Sequence, residues 1–235
     1  MSHFARAYNP YGVVAGPLSK AMRRTGTDTL VDLCSGAGIP AVTMQEDLRK
    51  SGFAVNLILT DKYPNLEALR SRREEYPEAV DFVDEPVDAL NVPLKLKGFR
   101  TLFTAFHHFD LPSARGILDD AFRQRQGIGI FEYTERALWL WGPVLLCTPF
   151  YIWIATPRMR PFRWSRMLWT YLLPIIPLMG VWDGFVSCRR TYPPREIEEM
   201  TRDLVAPDYV WEIGRVRSIG LCRVTYLLGY PDRGA

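Results

Sequence analysis

The chain has 235 residues, of which 48% are hydrophobic and 23% charged, enough apolar content for one large globular domain carrying an insertion. Its net charge of +3 is too small, and its basic residues too scattered, to imply nucleic-acid binding by field alone. Cys34, Cys147, Cys188 and Cys222 lie far apart with no C-x-x-C pair, so neither a disulfide framework nor a zinc site is indicated and a reducing cytoplasm fits.

In chain order, the opening MSHFARAYNP lacks the apolar core of a secretion signal, and a cytoplasmic protein is expected. Residues 1–27 form a leader with Tyr8, Tyr11 and a short helix around Pro17 to Arg24. It is either a cap or a packing helix with Arg23 and Arg24 on its outer face. Leu30 to Pro40 then reads LVDLCSGAGIP. A short apolar run ends in Asp32, Ser35 to Gly38 make a tight turn, and Pro40 opens a helix. Glycines let the backbone take positive φ and approach a ligand, Pro fits a first helical turn, and the helix N-terminus offers free N–H groups. A nucleotide-like cofactor is the natural occupant.

These residues resemble the class I S-adenosylmethionine-dependent methyltransferases, whose first strand ends in an acidic residue followed by a Gly-x-Gly turn, matched here by Asp32, Gly36 and Gly38. The first small position departs from the usual Gly and holds Cys34 and Ser35. The resemblance implies an α/β fold: a Rossmann-like seven-stranded sheet with helices on both faces and a terminal antiparallel strand pair. It also implies S-adenosyl-L-methionine as cofactor and a leader that often covers the active site. Gly36 to Ala41 equally fits the G-x-G-x-x-G/A dinucleotide fingerprint, so the turn alone does not choose between a methyl donor and NAD.

Helical spacing at Val42, Met44 and Leu48 predicts a helix over Pro40 to Lys50, ended by Ser51-Gly52. Residues 54–60, AVNLILT, read as a buried strand with Asp61 at its tip. A carboxylate there can accept both ribose hydroxyls of an adenosine; it can also be a mere helix cap. Lys62 is beside it. Tyr63 to Tyr76 reads as a charged surface helix and 79–84 as a third strand. Asp88-Ala89 before an apolar-Pro step is similar to the methyltransferase element beside the adenine, where Asp88 would accept the exocyclic amine. This element tips the balance towards methyl transfer.

Arg100 to Ala105 is the fourth predicted strand, running into Phe106, His107 and His108. Paired histidines here resemble the loop that faces the methyl group in small-molecule methyltransferases, with Phe106 beside the cofactor. One imidazole could serve as general base, since it titrates near neutrality. Metal binding is not favoured, because adjacent strand residues point to opposite faces. Leu111 to Gln124 reads as an amphipathic helix and Gly127 to Phe131 as a fifth strand. Glu132 at its end could orient an amine or hydroxyl acceptor, or pair with Arg136 at i, i+4.

Residues 137–156 contain no charge over a length that could cross a bilayer, yet Gly142, Pro143, Pro149 and the topology argue against a membrane hairpin. Three readings of 137–182 stand: an apolar lid over the acceptor pocket, a buried subdomain or homodimer contact, and an interfacial patch. In the last, Trp153, Trp164 and Trp169 with Arg158, Arg160, Arg163 and Arg166 touch anionic lipid. Tyr11, Trp139, Trp169, Asp183 and Tyr192 are the acceptor-binding candidates. Pro194 to Leu204 reads as a helix, and Tyr209 to Arg217 with Cys222 to Tyr230 as two strands.

The expectation is one methyltransferase domain over 28–235 with a lid at about 134–192. It transfers methyl to a small, largely apolar acceptor, quinone-, isoprenoid- or amine-like. The alternatives are an NAD-dependent oxidoreductase and a non-catalytic membrane-surface protein with this fold.

Overall fold

Apolar runs of four or five residues alternating with amphipathic helices dictate a sheet whose parallel strands are joined by helical crossovers. The computed structural model describes residues 9–137, 141–159, 162–220 and 222–232. Its chain forms two compact units, one comprising residues up to Tyr133 together with Pro193 onward, the other Thr134–Tyr192.

In chain order, helix α1 (Ala15–Thr25) precedes β1 (Thr29–Asp32), α2 (Ile39–Lys50), β2 (Asn56–Leu59), α3 (Leu66–Glu75), β3 (Val80–Phe82), β4 (Phe99–Phe103), α4 (Leu111–Arg123) and β5 (Ile128–Glu132). The second unit supplies α5 (Trp141–Ala155) and α6 (Ile175–Arg190), after which α7 (Pro194–Thr201), β6 (Tyr209–Arg217) and β7 (Arg223–Pro231) complete the first. Capping follows the residue chemistry: Asn65 accepts from the Ala68 N–H and Asp110 from the Ser113 N–H, each satisfying a free donor at a helix start.

The sheet order is β3-β2-β1-β4-β5-β7-β6. The first five strands are parallel, and β7 runs antiparallel to both β5 and β6. This is the seven-stranded methyltransferase arrangement. It differs from the doubly wound dinucleotide order, in which a sixth strand follows the fifth directly. Every residue of β4 and β5 is buried, as expected of parallel strands covered on both faces. The leader is part of this core: Leu18 and Met22 of α1 sit in one cluster with Leu30, Leu48, Phe131 and Leu228. The Arg23 guanidinium lies 4.4 Å above the Phe53 ring, so the basic face also packs.

Arg100 carries a charge into this core. Arg100 on β4 is 1% exposed, with Nη1 donating to Asp120 Oδ2 at 2.7 Å and Nη2 to Gln124 Oε1 at 2.7 Å on α4. Burial pulls the guanidinium's pKa down, and Asp120 opposes that.

Within the second unit, α5 and α6 pack antiparallel at close range. A Cβ on Gly180 would meet Ile152 Cδ1 at 2.4 Å, and one on Gly184 would meet Val144 Cγ1 at 2.8 Å. The 15 residues of α5 continue through Pro149, and none of its described residues is buried. Among the described residues no single helix is long and apolar enough to cross a membrane. One pair, Trp164–Leu172 and Ile175–Arg190, reaches that length and composition together but is bent by 75°.

Candidate active site

The glycine turn after β1 requires backbone that only small residues accept easily. Gly36 (φ +53°) and Gly38 (φ +70°) are both left-handed. A Cβ on Gly38 would meet Leu59 Cδ1 at 2.7 Å, whereas one on Gly36 would meet nothing within 4 Å. Gly38 is therefore glycine for packing, and Gly36 leaves the open face of the turn clear. Cys34 also holds positive φ, at +59°, so the departure from glycine carries real backbone strain. Burial beside Asp61 and Asp32 pushes its thiol up to about 12, which makes it a poor nucleophile at neutral pH.

Asp61 closes the turn. Its Oδ2 accepts from the Gly36 N–H at 2.8 Å and its Oδ1 from the Tyr63 N–H at 2.9 Å. The helix-cap alternative does not hold, because the cap of α3 is Asn65. Each carboxylate oxygen has lone-pair capacity for a further donor, so the group fits two vicinal hydroxyls. Asp88 accepts from Lys62 Nζ at 2.7 Å and from the Leu90 N–H at 3.0 Å. The Lys62 bond, first, and the Leu90 N–H hold its carboxyl below the usual range. Ala89 beside it is buried.

Asp32 is 3% exposed and accepts from Thr101 Oγ1 at 2.8 Å, directly across the β1–β4 register. Burial pushes its carboxyl up to about 7 against the Ser35 and Thr101 hydrogen bonds. Ser35 itself is buried, its hydroxyl donating to the Asp32 carbonyl at 2.9 Å. A folded acid with a raised pKa keeps a proton that the unfolded chain releases, so this group's contribution to stability is present at low pH. It is lost as pH rises from about 4 to about 7. Asp32→Asn, which keeps an acceptor for Thr101, is expected to gain on the wild type by about 3–4 kcal/mol between pH 4.5 and pH 8. Urea unfolding of both proteins at the two pH values measures that gap.

At the carboxyl ends of β4 and β5 the two histidines and Glu132 come together. The histidines lie in a 3-10 turn, Phe106–His108, beyond the strand, and their rings pack 4.3 Å apart between centroids instead of facing opposite ways. His107 is 2% exposed while His108 is exposed to solvent. Glu132, 3% exposed, spends its carboxylate on the turn: Oε1 accepts from the N–H groups of Phe106 at 2.9 Å and His107 at 3.2 Å, and Oε2 meets His107 Nδ1 at 2.9 Å. This carboxylate thus fixes the position of the Phe106–His107 turn and of the His107 ring. In the tautomer that donates Nδ1–H to this carboxylate the lone pair lies on Nε2, an atom that is buried with no hydrogen-bond partner among the described residues. The Phe106 ring is buried.

Tyr11 packs at the end of β4. It is 5% exposed, its hydroxyl bonds Thr104 Oγ1, and its ring packs edge-on against Phe103 at 5.1 Å and Tyr133 at 6.1 Å. It anchors the leader to the end of β4. Thr104 there has φ +49°, a strained backbone that the sequence did not announce. Thr101 was likewise missed; its only signal is a hydroxyl inside the apolar run Phe99–Phe103. In the second unit Trp169 is 40% exposed and Asp183 is exposed on α6, while Tyr192 is half-buried at its end. Trp139 lies outside the described residues.

No protein-family model matches the chain, and neither does any curated protein. Solved structures do match. The pyocyanin biosynthetic protein PhzM aligns with TM-score 0.53 and 13% identity, covering 94% of this chain and 54% of that one. Human N-acetylserotonin methyltransferase, solved with SAM, aligns at 0.51 and 12%, covering 94% and 52%. The plantazolicin methyltransferase BpumL, solved with SAH, aligns at 0.53 and 12%, covering 97% and 84%. The chain thus spans about half the length of the first two. Together with the strand order, these alignments give it the class I methyltransferase fold.

Proposed function

We propose that this chain, having the class I methyltransferase fold, binds S-adenosylmethionine at the glycine turn and methylates a small, largely apolar acceptor through a hydroxyl or similarly protonated group. The observation that carries this reading is the Glu132–His107 pair with its buried, unpartnered Nε2.

The cofactor, when bound, supplies an electrophilic methyl group on a sulfonium. The chain's own residues do the rest. Gly36 keeps the turn open, Asp61 offers carboxylate oxygens to the ribose hydroxyls, and Asp88 stands ready for the adenine amine. Glu132 fixes the tautomer and orientation of His107, whose Nε2 takes the acceptor proton as its oxygen becomes nucleophilic. Burial of both groups excludes water, which strengthens their interaction. The imidazolium then formed is stabilised by the adjacent carboxylate. An acceptor delivered already ionised would need none of this pair, which is why a protonated group is inferred.

Calorimetric titration with S-adenosylmethionine, S-adenosylhomocysteine and NADH tests the cofactor. Micromolar binding of the first two is expected, with a loss on the order of 10- to 100-fold in Asp61→Ala, which removes charge-assisted hydrogen bonds to ribose. Binding of NADH alone overturns the reading.

A further inference from the structure

The second unit presents a surface unlike that of a water-soluble subdomain. On α5, Leu145, Leu146, Phe150, Tyr151, Trp153 and Ile154 are all between 39% and 74% exposed. At about 100° per residue these positions cover roughly two thirds of the helix circumference, and α6 covers the remainder through Val144, Thr148 and Ile152. A helix that is apolar all round belongs in an apolar medium. A second protein copy covers one face of such a helix, whereas lipid surrounds it.

The way the two helices meet agrees with that medium. Gly180 and Gly184, spaced G-x-x-x-G, face α5 so closely that no side chain fits. Close backbone approach through small residues is how helices associate where water provides no hydrophobic drive. Charge points the same way. From Ala137 to Trp182 the sequence has no acidic residue, and its four arginines, at 158, 160, 163 and 166, fall in the connection between the helices. Trp164, 79% exposed, lies among them, the aromatic and basic pairing that suits a headgroup layer.

Geometry then limits the mode. Among the described residues α5 and α6 have 15 and 16 residues, each fewer than the roughly 20 that span a bilayer. Insertion end-on would drive the arginine-bearing connection into hydrocarbon. We infer that residues 141–182 dock this chain in the plane of one leaflet of an anionic membrane, apolar helix faces among the acyl chains and Arg158, Arg163 and Arg166 reaching lipid phosphates. This goes beyond methyl transfer and stands without it.

Flotation of the full chain with vesicles of phosphatidylcholine, with and without phosphatidylserine, tests the inference. Binding to the anionic vesicles is expected, weakened by salt. Arg158→Ala/Arg163→Ala/Arg166→Ala should lower partitioning on the order of 100-fold, with far-UV circular dichroism confirming the fold. Leu146→Glu/Phe150→Glu should lower binding to any vesicle. Failure of the wild type to float with anionic vesicles overturns the inference, and a dimer by light scattering that ignores vesicles assigns the surface to a second copy instead. Equal binding to both vesicle types, unchanged in the arginine variant, also overturns it.

Discussion

Glu132→Gln is expected to lower kcat for methyl transfer on the order of 10³-fold while leaving S-adenosylmethionine affinity unchanged. The substitution is nearly isosteric. A glutamine oxygen can still accept from the Phe106 and His107 N–H groups that Oε1 holds at 2.9 and 3.2 Å. Its amide, however, now faces Nδ1, 2.9 Å away in the wild type, and as a donor it forces the proton onto Nε2. The imidazole then has no lone pair for the acceptor. His107→Ala should produce a loss of similar size, and the double variant little more, because the two residues act as one unit. Transfer of labelled methyl to a panel of small phenols and hydroxyquinones, beside calorimetry of the cofactor, separates this from a merely structural effect. A variant with intact kcat would remove His107 from the chemistry.

Arg100→Ala is expected to destabilise the chain by about 3 kcal/mol without touching the site, moving the urea midpoint by about 1 M. Two effects add. The stem of a side chain only 1% exposed leaves a void under α4, and Asp120 loses the donor that meets it at 2.7 Å. Asp120 is itself 16% exposed, so water recovers part of its solvation and the loss stays near the lower end for a broken buried pair. Arg100→Met, which refills the void, should recover part of the stability. Equal stability of all three proteins would show that the ion pair is idle.

Both effects depend on pairings that no local pattern contains. The glycine turn, the apolar runs of β1, β2, β4 and β5, the amphipathic helix from Leu111 and the terminal strand pair were all legible, because each is set within a few residues, whereas the Asn65 and Asp110 caps were not picked out. Glycine is needed where φ is positive, and buried parallel strands read as unbroken apolar stretches. Even there one signal was missed: Thr104 holds positive φ at the tip of β4, and nothing in its residue type marks it.

What the sequence determined, then, is the sheet, the order in which its carboxylates and histidines reach one edge, and the apolar, acid-free character of 137–182. Tertiary structure alone decided which of two adjacent histidines is buried, and that Glu132 holds the turn after β4. It also decided that Tyr11 bonds Thr104, a residue far along the chain, and that Phe150, Trp153, Trp164 and Trp182 of the second unit are exposed. The first three share one physical reason. Right-handed crossovers set β4 beside both β1 and β5, and the register there fixes which side chains meet. Burial of a polar atom is then resolved by whichever partner lies within hydrogen-bond reach, a distance that sequence separation does not encode.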